Sequence, residues 1–176
     1  NYTDLEIGEK LGAGGQAIVS AATHPDIETP DRFAVKELDR SSVTITGDRI
    51  HSFLQSAQLW MDVDSRERDS PRWTSHEYIV GVVDIGEKLS WIAMEYMDGG
   101  DLADRLDESP DGLPIEEAVW ITQCLCRALM VAHEAGITHL DIKPGNVLFA
   151  ETSSSHWDLP KLADWGLANK LRADTH

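Results

Sequence analysis

Cysteine is scarce in these 176 residues: there are two, too few for a disulfide framework or a four-thiolate zinc site. Lysine is scarce as well, with 6 Lys and 9 Arg against 18 Asp and 13 Glu, a net charge of −16. A surface that acidic repels phosphate backbones and excludes a nucleic-acid-binding protein. No run approaches the ~20 apolar residues of a membrane span. The chain opens on Asn1, with neither a basic leader nor an apolar segment behind it, so no signal peptide is read and a cytoplasmic protein is expected. No internal repeat or long low-complexity tract is present. Hydrophobic residues nevertheless make up 41% of the chain, enough for a packed core. The acid excess suits high intracellular salt, where screening removes self-repulsion, and equally an acidic mesophilic protein.

The first forty residues alternate apolar and polar in three runs, "LEIGEKLG", "AIVSAAT" and "RFAVKEL", which predicts three strands. From Asp48, a predicted N-cap, the period changes. Ile50, Phe53, Leu54, Ala57, Trp60 and Met61 share a helical face. Residues 64–75 are charged and contain Pro71, and read as a surface loop. "YIVGVVDIGE" and "LSWIAMEYM" predict two further strands around a turn at Gly86. A short helix, "DLADRL", follows Gly99-Gly100. A long one is predicted over 115–135, with acids in its first turn and Gly136 as C-cap. "VLFA" and "PKLAD" are two last strand-like runs. The order is a β-rich part with one helix, then a mainly helical part.

Three features carry chemistry. Gly12, Gly14 and Gly15 lie between two predicted strands, where glycine lets backbone N–H groups approach phosphate oxygens. A Gly-rich hairpin alone means little, and a strand, not a helix, follows it. Lys36 lies inside the next apolar strand, where an ammonium needs a partner or must snorkel. Directly after the glycine loop, phosphate is the better partner. The richest stretch is "ITHLDIKPGNVLF": Asp141, Lys143 and Asn146 fall within six residues around a Pro-Gly turn. A carboxylate can take a hydroxyl proton, a lysine can offset charge on a phosphoryl group, and amide and carboxylate oxygens suit Mg²⁺. Asp164, in "LADWGLA", adds a second carboxylate at a strand end. Together they read as a two-lobed Mg-nucleotide site.

In this order the motifs resemble the eukaryotic-like protein kinases. "GAGGQAIV" resembles their Gly-rich loop, "FAVK" the strand lysine, "MEYMDGGDL" the hinge, "HLDIKPGN" the catalytic loop and "DWG" the metal-binding triplet. The resemblance implies an α+β, two-lobed fold: an N-lobe over 1–97 with a five-stranded antiparallel sheet and one helix, and an incomplete, mainly helical C-lobe over 98–176. It implies a Ser/Thr protein kinase that takes ATP, Mg²⁺ and a protein substrate. Gly12, Ala13, Gly14, Gly15, Gln16 and Val19 would cover the triphosphate, Lys36 would hold its α- and β-phosphates, and Ala34 would line the adenine pocket. Glu95 and Met97 would offer hinge backbone to adenine, and Asp101 would reach the ribose. Asp141 would accept the hydroxyl proton, Lys143 would assist at the γ-phosphate, and Asn146 and Asp164 would hold Mg²⁺. His139 is expected to be a packing residue.

The sequence departs from the family pattern at several points. Ser56 aligns with the helix glutamate that pairs the strand lysine, Leu140 replaces the usual arginine before Asp141, and Trp165 replaces phenylalanine. The chain ends ten residues after Gly166. The activation segment and later helices are not in it, so it reads as a piece of a longer kinase, inactive alone. Two alternatives remain. Ser56 favours a nucleotide-binding regulatory module. A small-molecule phosphotransferase of related fold would usually lack a lysine at Lys143.

Overall fold

In the computed structural model, residues 5–13, 17–26, 32–39, 46–68, 78–86, 91–152 and 156–170 are described. The chain divides into two compact units. One joins Asn1–Gln58 to Gly81–Tyr96, and the other joins Leu59–Val80 to Met97–His176.

The first unit is built on β1 (Glu6–Ala13), β2 (Ala17–Thr23), β3 (Phe33–Leu38), β4 (Val82–Gly86) and β5 (Trp91–Glu95). They form one antiparallel sheet in the order β1-β2-β3-β5-β4. The alternation read in the sequence sorts the side chains onto two faces. Ala22, Phe33, Val35, Trp91 and Ala93 form the core on one of them, flanked by Leu5 and Val83. Gly86 is required by this core, since a Cβ there would lie 2.1 Å from the Trp91 indole.

Helix α1 spans Gly47–Arg68. Asp48 is not its cap. The helix starts one residue earlier, and the Thr46 carbonyl and hydroxyl oxygens accept from Arg49 N–H, leaving Asp48 in the first turn. Nor does it end at Asp64. "DSRER" is free of Pro and Gly, and carries the helix on for more than a turn where a loop was expected. The expected strand 78–87, whose last residue lies outside the described residues, is divided. Residues 78–80 turn to the second unit, where Ile79 bridges Leu162 in parallel, and only Val82–Gly86 joins the sheet.

The second unit holds α2 (Leu102–Asp107), α3 (Ile115–Glu134), β6 (Ile137–Thr138), a 3-10 turn (Pro144–Asn146), β7 (Val147–Ala150), β8 (Leu159–Leu162) and β9 (Asn169–Lys170). Helix α3 buries Ile121, Cys124, Ala128 and Ala132 and leaves Cys126 exposed, as two cysteines two apart on a helix must be. Gly136 closes it at φ +71°, the left-handed C-cap a glycine adopts freely. Arg105 of α2 ties three elements together. It lies 3.7 Å from the Phe149 ring centroid and donates to Glu117 at 3.0 Å and Asp158 at 2.7 Å.

Candidate active site

In the first unit, the core face of the sheet leaves the other face to Lys36. Directly paired residues share a face. Lys36 pairs with Val19 on β2 and Ile92 on β5, and Ala34 pairs with Ala21 and Met94. Val19, Ala34 and Lys36, singled out in the sequence, therefore stand together among small and aliphatic side chains. Ile92 and Met94 join them although no role was read for them. Their signal was the period-two alternation of "WIAME". Gly12 and Ala13 end β1, opposite Val19 and Ile18, just past a register shift at Leu11. Gly14, Gly15 and Gln16 lie outside the described residues. Glu95, expected at a hinge, forms a closed pair with Gly81. Its N–H donates to the Gly81 carbonyl at 2.9 Å, and its carboxylate accepts the Gly81 N–H at 3.2 Å. Ser56 sits within α1 with its hydroxyl donating to the Ser52 carbonyl at 2.9 Å.

In the second unit, residues 97–101 run along β7. Gly99 N–H donates to Phe149 O at 2.8 Å, Phe149 N–H to Gly100 O at 2.9 Å, and Glu151 N–H to the Asp98 carboxylate at 2.7 Å. The approach is close enough that a Cβ on Gly99 would lie 2.8 Å from the Phe149 Cβ. Met97 is half-buried at the start of this segment. Asp101 caps α2, its Oδ1 accepting from Ala103 and Asp104 N–H at 2.8 and 3.0 Å. A sugar contact would have to use its remaining acceptor capacity.

The polar cluster is assembled around Ala163. Its N–H donates to the Asn146 carbonyl at 2.8 Å, and its carbonyl lies 2.9 Å from His139 Nε2. The other ring nitrogen, Nδ1, accepts the Asp141 N–H at 3.2 Å. With Nδ1 an acceptor, the proton sits on Nε2 and is donated to Ala163. Burial lowers the His139 pKa, which keeps this neutral tautomer. The packing role expected of His139 is thus joined by a second one that the sequence did not reveal. One imidazole fixes the backbone at both Asp141 and the residue before Asp164.

Around Asp141 the side chains then close up. Lys143 Nζ donates to Asp141 Oδ2 at 2.7 Å, and Asn146 Nδ2 donates to the Asp141 carbonyl at 2.7 Å and to Oδ2 at 3.1 Å. The Lys143 hydrogen bond holds the Asp141 carboxyl below its ordinary pKa, and Asp141 in turn raises that of Lys143. Both amide protons of Asn146 are thus taken up by Asp141. Asp164 stands in the left-handed region at φ 58°, its Oδ1 accepting from Gly166 N–H at 3.2 Å. Leu140 shares that strained backbone, at φ 63°, with its side chain 64% exposed. Among the described residues no three His, Cys, Asp or Glu side chains converge as a metal cluster. None contributes to a helix long and apolar enough to cross a membrane.

Comparison with known proteins decides the family: residues 5–176 match the protein kinase domain. The chain belongs to the protein kinases, of the eukaryotic-like Ser/Thr type. It is 34% identical over 170 residues to the serine/threonine-protein kinase PknF of Mycobacterium tuberculosis, covering 95% of this chain and 33% of that protein. It is 33% identical over 177 residues to PknB of Mycobacterium leprae, covering 97% and 25%, and 33% identical over 165 residues to DCLK3 of Mus musculus, covering 93% and 19%. The kinase region in hand thus spans a third or less of these relatives' lengths. The five-stranded antiparallel sheet with α1 agrees with the partial kinase fold expected from the motifs.

Proposed function

We propose that this domain is the ATP-handling part of a protein Ser/Thr kinase that phosphorylates a hydroxyl of a protein substrate. The observation that carries the reading is the clamp on Ala163. His139 and Asn146 hold it from both sides, which supports a site shared by Asp141, Lys143, Asn146 and Asp164. The donor set fits Mg²⁺, a hard cation that takes an amide oxygen, one or two carboxylates, waters and phosphate oxygens. Asn146 Oδ1 and the Asp164 carboxylate would hold it. When bound, Mg-ATP supplies the transferable γ-phosphoryl group.

The residues of the chain would do the rest by position and charge. Asp141 orients the substrate hydroxyl and takes its proton as the new O–P bond forms and the bond to the β-phosphate oxygen breaks. Lys143, held at Asp141, offsets charge on the group in transit. Lys36 holds the α- and β-phosphates, and Gly12, Ala13, Gly14, Gly15, Gln16 and Val19 lie over them. Ala34, with Ile92 and Met94 on the same sheet face, packs adenine. The Glu95 carbonyl and Met97 backbone bond the base edge, and Asp101 meets the ribose. On this reading the domain works in the cytoplasm, where Mg-ATP is available, as a signalling enzyme.

The test is Asp141→Ala in the full-length protein. Transfer to Ser/Thr peptides should disappear while ATP affinity stays within about twofold. Undiminished transfer would remove Asp141 from its role. A wild-type protein that binds ATP yet transfers nothing would turn the reading to a nucleotide-binding regulatory module, for which Ser56 alone speaks.

A further inference from the structure

Strand β5 ends on an irregular pair. Val82 pairs with Met94, so the next pair outward is Gly81 with Glu95. Two residues of a hydrogen-bonded antiparallel pair exchange both of their N–H···O=C bonds. Here the first of the two is regular, from Glu95 N–H to the Gly81 carbonyl at 2.9 Å. The return bond goes to a side chain. Gly81 N–H donates to Glu95 Oε2 at 3.2 Å, so the carboxylate stands where the ladder would have the Glu95 carbonyl. A carboxylate is not what this place on the sheet asks for. Glu95 pairs with Phe33 of β3, and Phe33 belongs to the apolar core with Ala22, Val35, Trp91 and Ala93. Half-buried beside that core, an acid costs free energy unless hydrogen bonds hold it, whereas an aliphatic side chain would pack there directly. The following residue is held from the other side of β5. The Arg32 guanidinium lies 4.0 Å from the Tyr96 ring centroid and pairs with Glu9 of β1 at 3.4 Å. Residues 95–96 are thus pinned by the residues that lead into β3 and into β4, Arg32 and Gly81.

We propose that the Glu95 carboxylate is a positioning group for adenine. It takes the Gly81 N–H in place of the Glu95 carbonyl, and that carbonyl is given over to the exocyclic amine of the base. One residue thereby supplies two acceptors for two donors, its side chain for the sheet and its main chain for the ligand. Without the carboxylate, Gly81 N–H takes back the carbonyl, and the adenine amine has to compete for it. That the ligand is adenine rests on the kinase reading; the exchange of acceptors rests on the geometry alone.

Two measurements on the full-length protein decide it. The first compares calorimetric affinities for ATP and for the triphosphate of purine riboside, which is ATP without the amine. The wild type should prefer ATP by about threefold to tenfold, the share of one neutral hydrogen bond. Glu95→Gln keeps an acceptor for Gly81 N–H and should keep that preference to within about twofold. Glu95→Met suits the apolar face but offers no oxygen, and should bind the two nucleotides alike, with its affinity for the amine-free one within about twofold of the wild type's. A Glu95→Met protein that keeps the preference overturns the inference. So does one that loses affinity for both nucleotides by the same factor, since the carboxylate then only braces the sheet, and so does a wild type with no preference. The second follows the Gly81 amide in ¹⁵N-glycine-labelled protein, assigned by its loss in Gly81→Ala, where the added Cβ meets nothing nearer than 3.7 Å. Its proton should move upfield in Glu95→Met, because a charged acceptor makes the stronger bond. A resonance that stays in place means that the carboxylate is not its acceptor, and overturns the inference whatever the affinities show. If the wild type binds neither nucleotide, the kinase reading fails, and the Gly81 amide alone decides whether the carboxylate holds the ladder position.

Discussion

Replacing His139 by Phe isolates what the imidazole does. The Phe ring still fills a pocket that is 1% exposed and still packs on Trp165, so neither volume nor aromatic contact is lost. Two hydrogen bonds are lost. The Ala163 carbonyl loses its donor, and the Asp141 N–H loses its acceptor. Ala163 is buried and Asp141 half-buried. At 1–3 kcal/mol for each buried group left unpaired, and less for the half-buried one, the loss comes to about 2–4 kcal/mol. In a domain of this size that lowers the melting temperature by about 5–15 °C. The loss should also depend on pH. Burial lowers the folded-state pKa of His139, so its contribution is full above the ordinary histidine pKa. It shrinks as pH falls toward the folded value, because the unfolded chain takes up the proton first. Thermal unfolding of wild type and variant between pH 8 and pH 5 measures both effects, and the gap between the two should narrow on the acid side. A gap under about 0.5 kcal/mol at pH 8, or one that widens toward pH 5, would refute the argument that a neutral His139 holds the segments at Asp141 and Ala163 together.

Four further outcomes are expected. Asp164→Asn keeps an acceptor for Gly166 N–H but removes the charge, so ATP binding should lose about tenfold of its Mg²⁺ dependence; equal affinity with and without Mg²⁺ in the wild type would remove the metal assignment. Lys143→Met should bring the Asp141 titration, followed by carboxyl ¹³C shifts, back up toward the ordinary aspartate range, since the Lys143 hydrogen bond is the main cause of its depression. Gly99→Ala should destabilise by about 1–3 kcal/mol in denaturant unfolding, because its Cβ meets Phe149 backbone and Cβ together, and neither is a flexible side-chain end. Arg105→Met should cost about 2–3 kcal/mol in the same assay, as it strands the carboxylates of Glu117 and Asp158, of which Glu117 is 12% exposed.

Much of this was legible because it rests on local pattern. Period-two alternation located all five strands of the large sheet, and the 3.6-residue period with Gly136 located α3 almost to the residue. The polar cluster was legible because Asp141, Lys143 and Asn146 are close in sequence and Pro144 dictates a turn. What stayed hidden depends on distant partners. Strands β6 and β9 have two residues each, too short for any period, and exist only because Ile137 and Thr138 meet Lys170 and Asn169. The division of residues 78–87 reflects competition between two acceptors of an apolar strand, β5 and β8, which no window of sequence contains. Helix α1 outran its expected end because charge was read as loop, although Arg and Glu are good helix formers. Trp165 is buried with no partner for its indole N–H among the described residues, and a large-for-large reading of the residue had no means to register a donor.

The hydrogen bond that places Asp141 runs from its backbone N–H, and Ala163 is likewise held by main-chain atoms. The carboxylate contributes nothing to either. Scaffold and chemistry are therefore inherited separately in this loop. A descendant that exchanged Asp141 for a neutral residue would keep the His139 clamp, the turn at Pro144 and the alignment of β7 with β8. Its main-chain frame would match its parent's while the carboxylate was gone. In a lineage built on this frame, such an exchange would break only the bonds that the Lys143 and Asn146 side chains make to the carboxylate, and leave the main-chain ones in place.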